Sequence, residues 1–230
     1  MAVNSRLPLP LSPILAPCCD WAGAHWRCGV VRCKAVLPNG GIPEVGAAVP
    51  RRGNRASRSL AWLAFRLWGW RFAGSFPDRP KAILVVAPHT TNWDFLVGML
   101  ALFALGLRIS WLGKHTLFRW PLRPLMLWLG GVPVRRGSRS GTVAKLVETM
   151  RQRETMLLAV APEGTRRAVT GWRMGFAHVA VGSGVPVVPV AFDWGSRLVR
   201  LGPALTLTGD LAADERTLRG WFADECQTPI

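Results

Sequence analysis

A histidine and an aspartate, His89 and Asp94, stand five residues apart in the stretch Ala-Pro-His-Thr-Thr-Asn-Trp-Asp-Phe, residues 87–95. An apolar run over 82–87 leads in and another over 95–107 leads out, so the pair sits where a buried strand hands over to a helix. A loop of this kind is exposed while its flanks are rigid, which suits a catalytic group. Asp94 falls in or just before the first helical turn, where free backbone N–H groups favour a carboxylate. One imidazole nitrogen of His89 can donate to Asp94, which leaves the other as a base.

Three further segments follow apolar strands in the same way. They are Gly130-Gly131-Val132-Pro133-Val134-Arg135-Arg136, Ala161-Pro162-Glu163-Gly164-Thr165-Arg166, and Gly184-Val185-Pro186-Val187-Val188-Pro189-Val190. In open α/β sheets, sites are built just beyond strand ends. Taken singly, each has a bland reading: a hydrogen-bonded His–Asp pair, a turn with a salt bridge, a solvated strand end, a structural edge. Their joint order is much harder to reach by accident.

The elements that must position these groups alternate. Strands are expected over 82–87, 109–112, 132–135, 155–161, 186–192 and 197–208, and helices over 93–105, 120–129, 139–153 and 173–182. This βα alternation predicts an α/β fold, a mostly parallel sheet flanked by helices. A further helix over 60–72, apolar nearly all round, is too short for a span of ~20 residues. Trp62, Trp68 and Trp70 with Arg66 and Arg71 suit either the headgroup boundary, as an N-terminal interfacial helix, or packing on the core. Residues 1–58 lack any sustained period and read as a poorly ordered basic tail rich in Pro, Gly and Cys, ending in a basic linker over 50–58; the boxes and their strands and helices fall in one domain over 59–230.

Composition narrows the partners. Lys and Arg total 29 against 13 Asp and Glu, a net charge of +16, so an anionic partner is implied. Half of the residues are hydrophobic, Trp is abundant and Tyr absent, a balance that fits a membrane surface better than a duplex groove. No nucleic-acid motif is present. Cys18, Cys19, Cys28 and Cys33 with His25 do not make two C-x-x-C pairs, so neither a metal site nor a disulfide framework is expected. Prolines at 8, 10, 13 and 17 break the apolar start, which argues against a secretory signal.

With these boxes in order, the chain resembles the glycerolipid and lysophospholipid acyltransferases, typified by 1-acyl-glycerol-3-phosphate acyltransferase, over about residues 60–209. The H-x4-D box is His89 and Asp94, the glycine-rich box is Gly131 to Arg136, the E-G-T-R box is Glu163 to Arg166, and the paired prolines are Pro186 and Pro189. The segment Gly113 to Phe118, with Lys114, looks like the stretch between the first two boxes. Pro88, Arg135, Arg167 and Arg173 stand where many members carry other residues, which bears on substrate rather than reaction.

The resemblance implies a membrane-associated O-acyltransferase moving a fatty acyl group from acyl-CoA or an acyl carrier protein to a lysophospholipid hydroxyl, on the cytoplasmic face of the cell membrane. His89 would be the base and Asp94 its orienter. Arg136 and Arg166 would grip a phosphate, with Lys114, Glu163, Gly164 and Thr165 completing the substrate site and Pro186 and Pro189 serving structure. The acceptor alcohol can attack directly, so no nucleophilic Ser is needed, and the sequence has no Gly-x-Ser-x-Gly elbow. No cofactor is expected. The rival readings are an acyltransferase for another acceptor, such as a lyso-ornithine lipid or glycolipid, and a non-catalytic basic module binding lipid or nucleic acid.

Overall fold

A computed structural model describes residues 19–20, 27–28, 41–89, 91–134, 139–164 and 171–225. Residues 1–34 form one unit, in which strands β1 (Cys19–Asp20) and β2 (Arg27–Cys28) pair antiparallel. The remainder forms the second unit.

In chain order the second unit contains α1 (Arg55–Leu67), β3 (Arg71–Gly74), β4 (Lys81–Ala87), α2 (Asn92–Leu105), β5 (Ile109–Lys114), α3 (Arg123–Trp128), β6 (Gly131–Val134), α4 (Arg139–Gln152), β7 (Met156–Val160), α5 (Gly175–Ser183), β8 (Val187–Asp193), β9 (Leu198–Leu201) and α6 (Leu211–Glu225). Seven strands make one sheet in the order β3-β9-β8-β4-β7-β5-β6. Every neighbouring pair is parallel except β8 and β9. The expected mostly parallel sheet flanked by helices is therefore present.

The period of two in the strands divides the core between the faces. Ala82 and Leu84 of β4 join Val188, Val190 and Phe192 of β8 under α1 and α2. Ile83, Val85 and Ala87 face the other way, with Val187 and Ala191, against α5 and α6. Burial on both faces explains why these strands read as unbroken apolar runs.

Several bounds differ from expectation, each for a local reason. The helix expected over 60–72 runs Arg55–Leu67, because Asn54 caps it through the Ser57 N–H and Gly69 takes φ +83 just after it. Residue 58 thus lies inside α1. The chain then enters β3, a strand missed in the sequence because its four residues follow Trp-rich helix without a turn cluster. Residues 50–52, read as linker, are tied to the end of α2: Arg108 N–H donates to Pro50 O, and Arg52 N–H to Gly106 O. The strand expected over 197–208 stops at Leu201, near Pro203, which has no N–H to give a ladder, and pairing with β8 returns only at Leu205, opposite Val187. Helix α6 was also missed; Asp210 caps it through Ala212 and Ala213 N–H, and Leu218 and Phe222 bury its inner stripe.

Candidate active site

The carboxyl ends of β4, β5, β6, β7 and β8 share one edge of the sheet. His89 follows β4, and Asp94 is in the first turn of α2. Asp94 is 1 % exposed. One carboxylate oxygen, Oδ2, accepts the Thr91 N–H at 2.7 Å and lies 3.6 Å from His89 Nδ1. The other, Oδ1, accepts the indole N–H of Trp194 at 2.7 Å. The Nδ1 nitrogen of the half-buried His89 faces Asp94. A separation of 3.6 Å is longer than a formed hydrogen bond.

Glu163 follows β7, next to β4 in the sheet. It is 7 % exposed, and both its oxygens accept the main-chain N–H of His89 at 3.2 Å. Burial pushes the Glu163 carboxyl above the ordinary glutamate range. The His89 N–H draws it back, the charge of Asp94 adds to the rise, and Arg219 opposes it. Gly164 takes φ +62, and a Cβ there would stand 2.7 Å from Arg173 Cδ, so the turn accepts glycine best.

Lys114 ends β5, exposed at the same edge, two strands from β4. Pro186 accepts the Ile83 N–H through its carbonyl, and Pro189 lies inside β8 opposite Val85. The Pro189 carbonyl accepts the Gly202 N–H, so its missing donor faces the point where β9 has ended. Arg136, Thr165 and Arg166 lie outside the described residues. Trp194 was missed in the sequence, where it is one tryptophan among 12. Its position directly after an apolar strand, where the other boxes also sit, was the available signal.

Beneath the His89–Asp94 pair lies a cavity of about 140 Å³. Val86, Phe95, Leu102 and Trp111 line it, and it reaches Leu105 and Leu107 at the far end of α2. Its wall is almost wholly apolar, with the imidazole and carboxylate at one end. Among the described residues, no group of three His, Cys, Asp or Glu side chains could hold a metal ion.

The surface has a second feature. In and before α3, Leu117, Trp120, Leu122, Leu125, Leu127 and Trp128 are all exposed, Trp120 at 89 %. Leu60, Leu63 and Leu67 of α1, and Trp93 and Leu96 of α2, are exposed too. Of the two placements open for the tryptophans near α1, packing on the core is the one found: Trp70 is 1 % exposed in the core, and Trp62 and Trp68 pack against it. Among the described residues, no helix is long and apolar enough to cross a membrane.

This geometry can be set beside known proteins. The Acyltransferase family model matches residues 74–193, which takes in His89, Asp94, Glu163 and the paired prolines. The 1-acyl-sn-glycerol-3-phosphate acyltransferase of Escherichia coli (strain K12) is 27 % identical over 125 residues, covering 51 % of this chain and 49 % of that protein. The chain thus spans about half the length of the curated relative it matches. The fold is similar to the crystal structure of the 1-acyl-sn-glycerophosphate (LPA) acyltransferase from Thermotoga maritima, with a TM-score of 0.51 and 18 % identity over 74 % of this chain and 79 % of that one. The family match spans just over half of the sequence, and the chain belongs to the acyltransferase family of enzymes.

Proposed function

We propose that the enzyme transfers a fatty acyl group from a thioester, acyl-CoA or acyl carrier protein, to the free hydroxyl of a lysophospholipid, 1-acyl-glycerol-3-phosphate. The observation that carries this reading is the placement of His89, backed by a buried aspartate, at one end of an apolar cavity. An alcohol is a weak nucleophile, and a base that removes its proton during attack lowers the barrier. In this reading His89 Nε2 takes the proton as the hydroxyl oxygen bonds to the thioester carbon. Asp94 stabilises the imidazolium that forms. The tetrahedral intermediate then expels the thiolate, which recovers the proton, and the new ester leaves. The apolar cavity gives an acyl chain a place out of water, worth about 0.8 kcal/mol per buried methylene.

Glu163 holds the His89 main chain in this scheme. Arg136 and Arg166 grip the acceptor phosphate by forked hydrogen bonds, Lys114 and Thr165 serve the same substrate, and Gly164 lets backbone approach. The acceptor is presented at an anionic membrane surface on its cytoplasmic side. The exposed leucines and tryptophans of residues 117–128, with exposed Arg119 and Arg123 among them, support this: the side chains combine apolar insertion with attraction to anionic headgroups.

The test is the purified protein with a panel of lyso-lipids and each donor, products read by mass spectrometry. Phosphatidate formed from lysophosphatidate in preference to products from lyso-ornithine lipid, lysoglycolipid or monoacylglycerol is expected. A preference for a phosphate-free acceptor would remove the phosphate assignment.

A further inference from the structure

We propose that Trp194 is a positioning residue for catalysis: its indole N–H fixes the Asp94 carboxylate so that Oδ2 is presented to His89. The proposal rests on the reading of His89 and Asp94 as the catalytic pair. Asp94 is buried, and its two oxygens are used differently. Oδ2 takes the Thr91 N–H and faces His89, while Oδ1 takes the Trp194 N–H at 2.7 Å. Without the second donor the carboxylate could rotate about its last torsion, since a terminal sp³–sp² torsion has no steep staggered wells. With it, the plane of the group is set from both ends.

The nature of the donor matters. An arginine or lysine at this place would satisfy Oδ1 but would also cancel the charge that stabilises imidazolium. The indole N–H is a neutral donor and leaves that charge in place. Trp194 is still 39 % exposed, so burying its ring is not what it does best.

The donor is itself held rigidly. Trp70 meets the Trp194 ring edge-on at 5.0 Å between centroids, and Trp68 does so at 6.4 Å. Asp193, just before it, ties the following turn by accepting from the Ser196 N–H and hydroxyl and from Arg200. The strand order β8-β4-β7 then gives the pair a brace on each side. The β8 side supplies Trp194 to Asp94, and the β7 side supplies Glu163 to the His89 main chain.

The test uses the full chain in three variants, Trp194→Phe, Asp94→Ala and the double variant, assayed with lysophosphatidate and acyl-CoA. Trp194→Phe should lower kcat by about tenfold, the order expected for losing a charge-assisted donor, with KM for both substrates within about twofold. In the Asp94→Ala background it should have less than about a twofold further effect, because it acts through Asp94. Amide-detected spectra of the folded protein give a readout independent of turnover: the Trp194 indole N–H resonance, identified by its loss in Trp194→Phe, should move in Asp94→Ala. Native kcat in Trp194→Phe, an undiminished loss in the Asp94→Ala background, or an unmoved indole resonance each overturns the proposal. Native kcat in Asp94→Ala alone would instead overturn the reading of the pair beneath it.

Discussion

Two regions of this enzyme depart from ordinary burial in opposite directions. Around β4 and the start of α2, two carboxylates are buried, Asp94 at 1 % and Glu163 at 7 % exposure. Across the β5–β6 connection, no residue of α3 is buried, although it reads Arg-Pro-Leu-Met-Leu-Trp. The first departure is answered within the chain: each carboxylate accepts defined N–H donors, from Thr91 and Trp194 or from the His89 main chain. The second has Trp128 stacked on Phe103 and covered by Arg52, while most of its leucines remain in solvent. Buried carboxylates held by N–H donors beside a cleft make this end of the sheet the candidate site. An apolar surface that the chain does not cover marks a partner outside it.

Each region can be perturbed without the other. Asp94→Asn should reduce kcat by about a hundredfold while vesicle binding is unchanged, since the amide misdirects the imidazole but does not alter the surface. Steady-state kinetics and flotation on the same sample check both halves. Replacing Trp120, Leu122, Leu125 and Trp128 by Ser should weaken binding to anionic vesicles by about tenfold or more and leave turnover of a short-chain, water-soluble substrate near native. Equal flotation of the variant and the native protein would remove the surface from the account.

Smaller effects sharpen the first region. Gly164→Ala should cost about 1 kcal/mol or more of stability, because φ +62 and the nearby Arg173 both oppose a Cβ; chemical denaturation measures it. Glu163→Gln is subtler. The folded-state pKa of Glu163 lies above the ordinary value of 4.5, so the ionised carboxylate costs stability at neutral pH. That cost is relieved as pH falls through the raised folded value towards 4.5. The variant should therefore equal or exceed the native Tm at about pH 8 and lose ground to it as the pH is lowered to about 5. A Tm difference that does not change with pH would contradict the buried, pKa-raised carboxylate.

Much of this was legible in the sequence because the signals are local. The strand–loop–helix passage around His89 and Asp94 is fixed by apolar runs and an N-terminal carboxylate, and β4 and α2 fall within a residue or so of expectation. The parallel sheet followed from the alternation of strands and helices. What was not legible depends on approach between distant residues. Trp194 meets Asp94 across 100 residues, and Glu163 meets the His89 main chain across 74, and neither contact leaves a spacing to be read. The placement of three tryptophans was left open for a related reason. Trp62, Trp68 and Trp70 are apolar in sequence whether buried or exposed, and only the packing of α1 on α2 decides which side they take.

The most direct test of the central claim is acyl transfer from acyl-CoA to lysophosphatidate by native protein and by His89→Ala, with circular dichroism and vesicle flotation on the same preparations. His89→Ala should lose roughly a hundredfold or more in kcat, with fold and flotation unchanged. Near-native turnover by folded His89→Ala would contradict the claim.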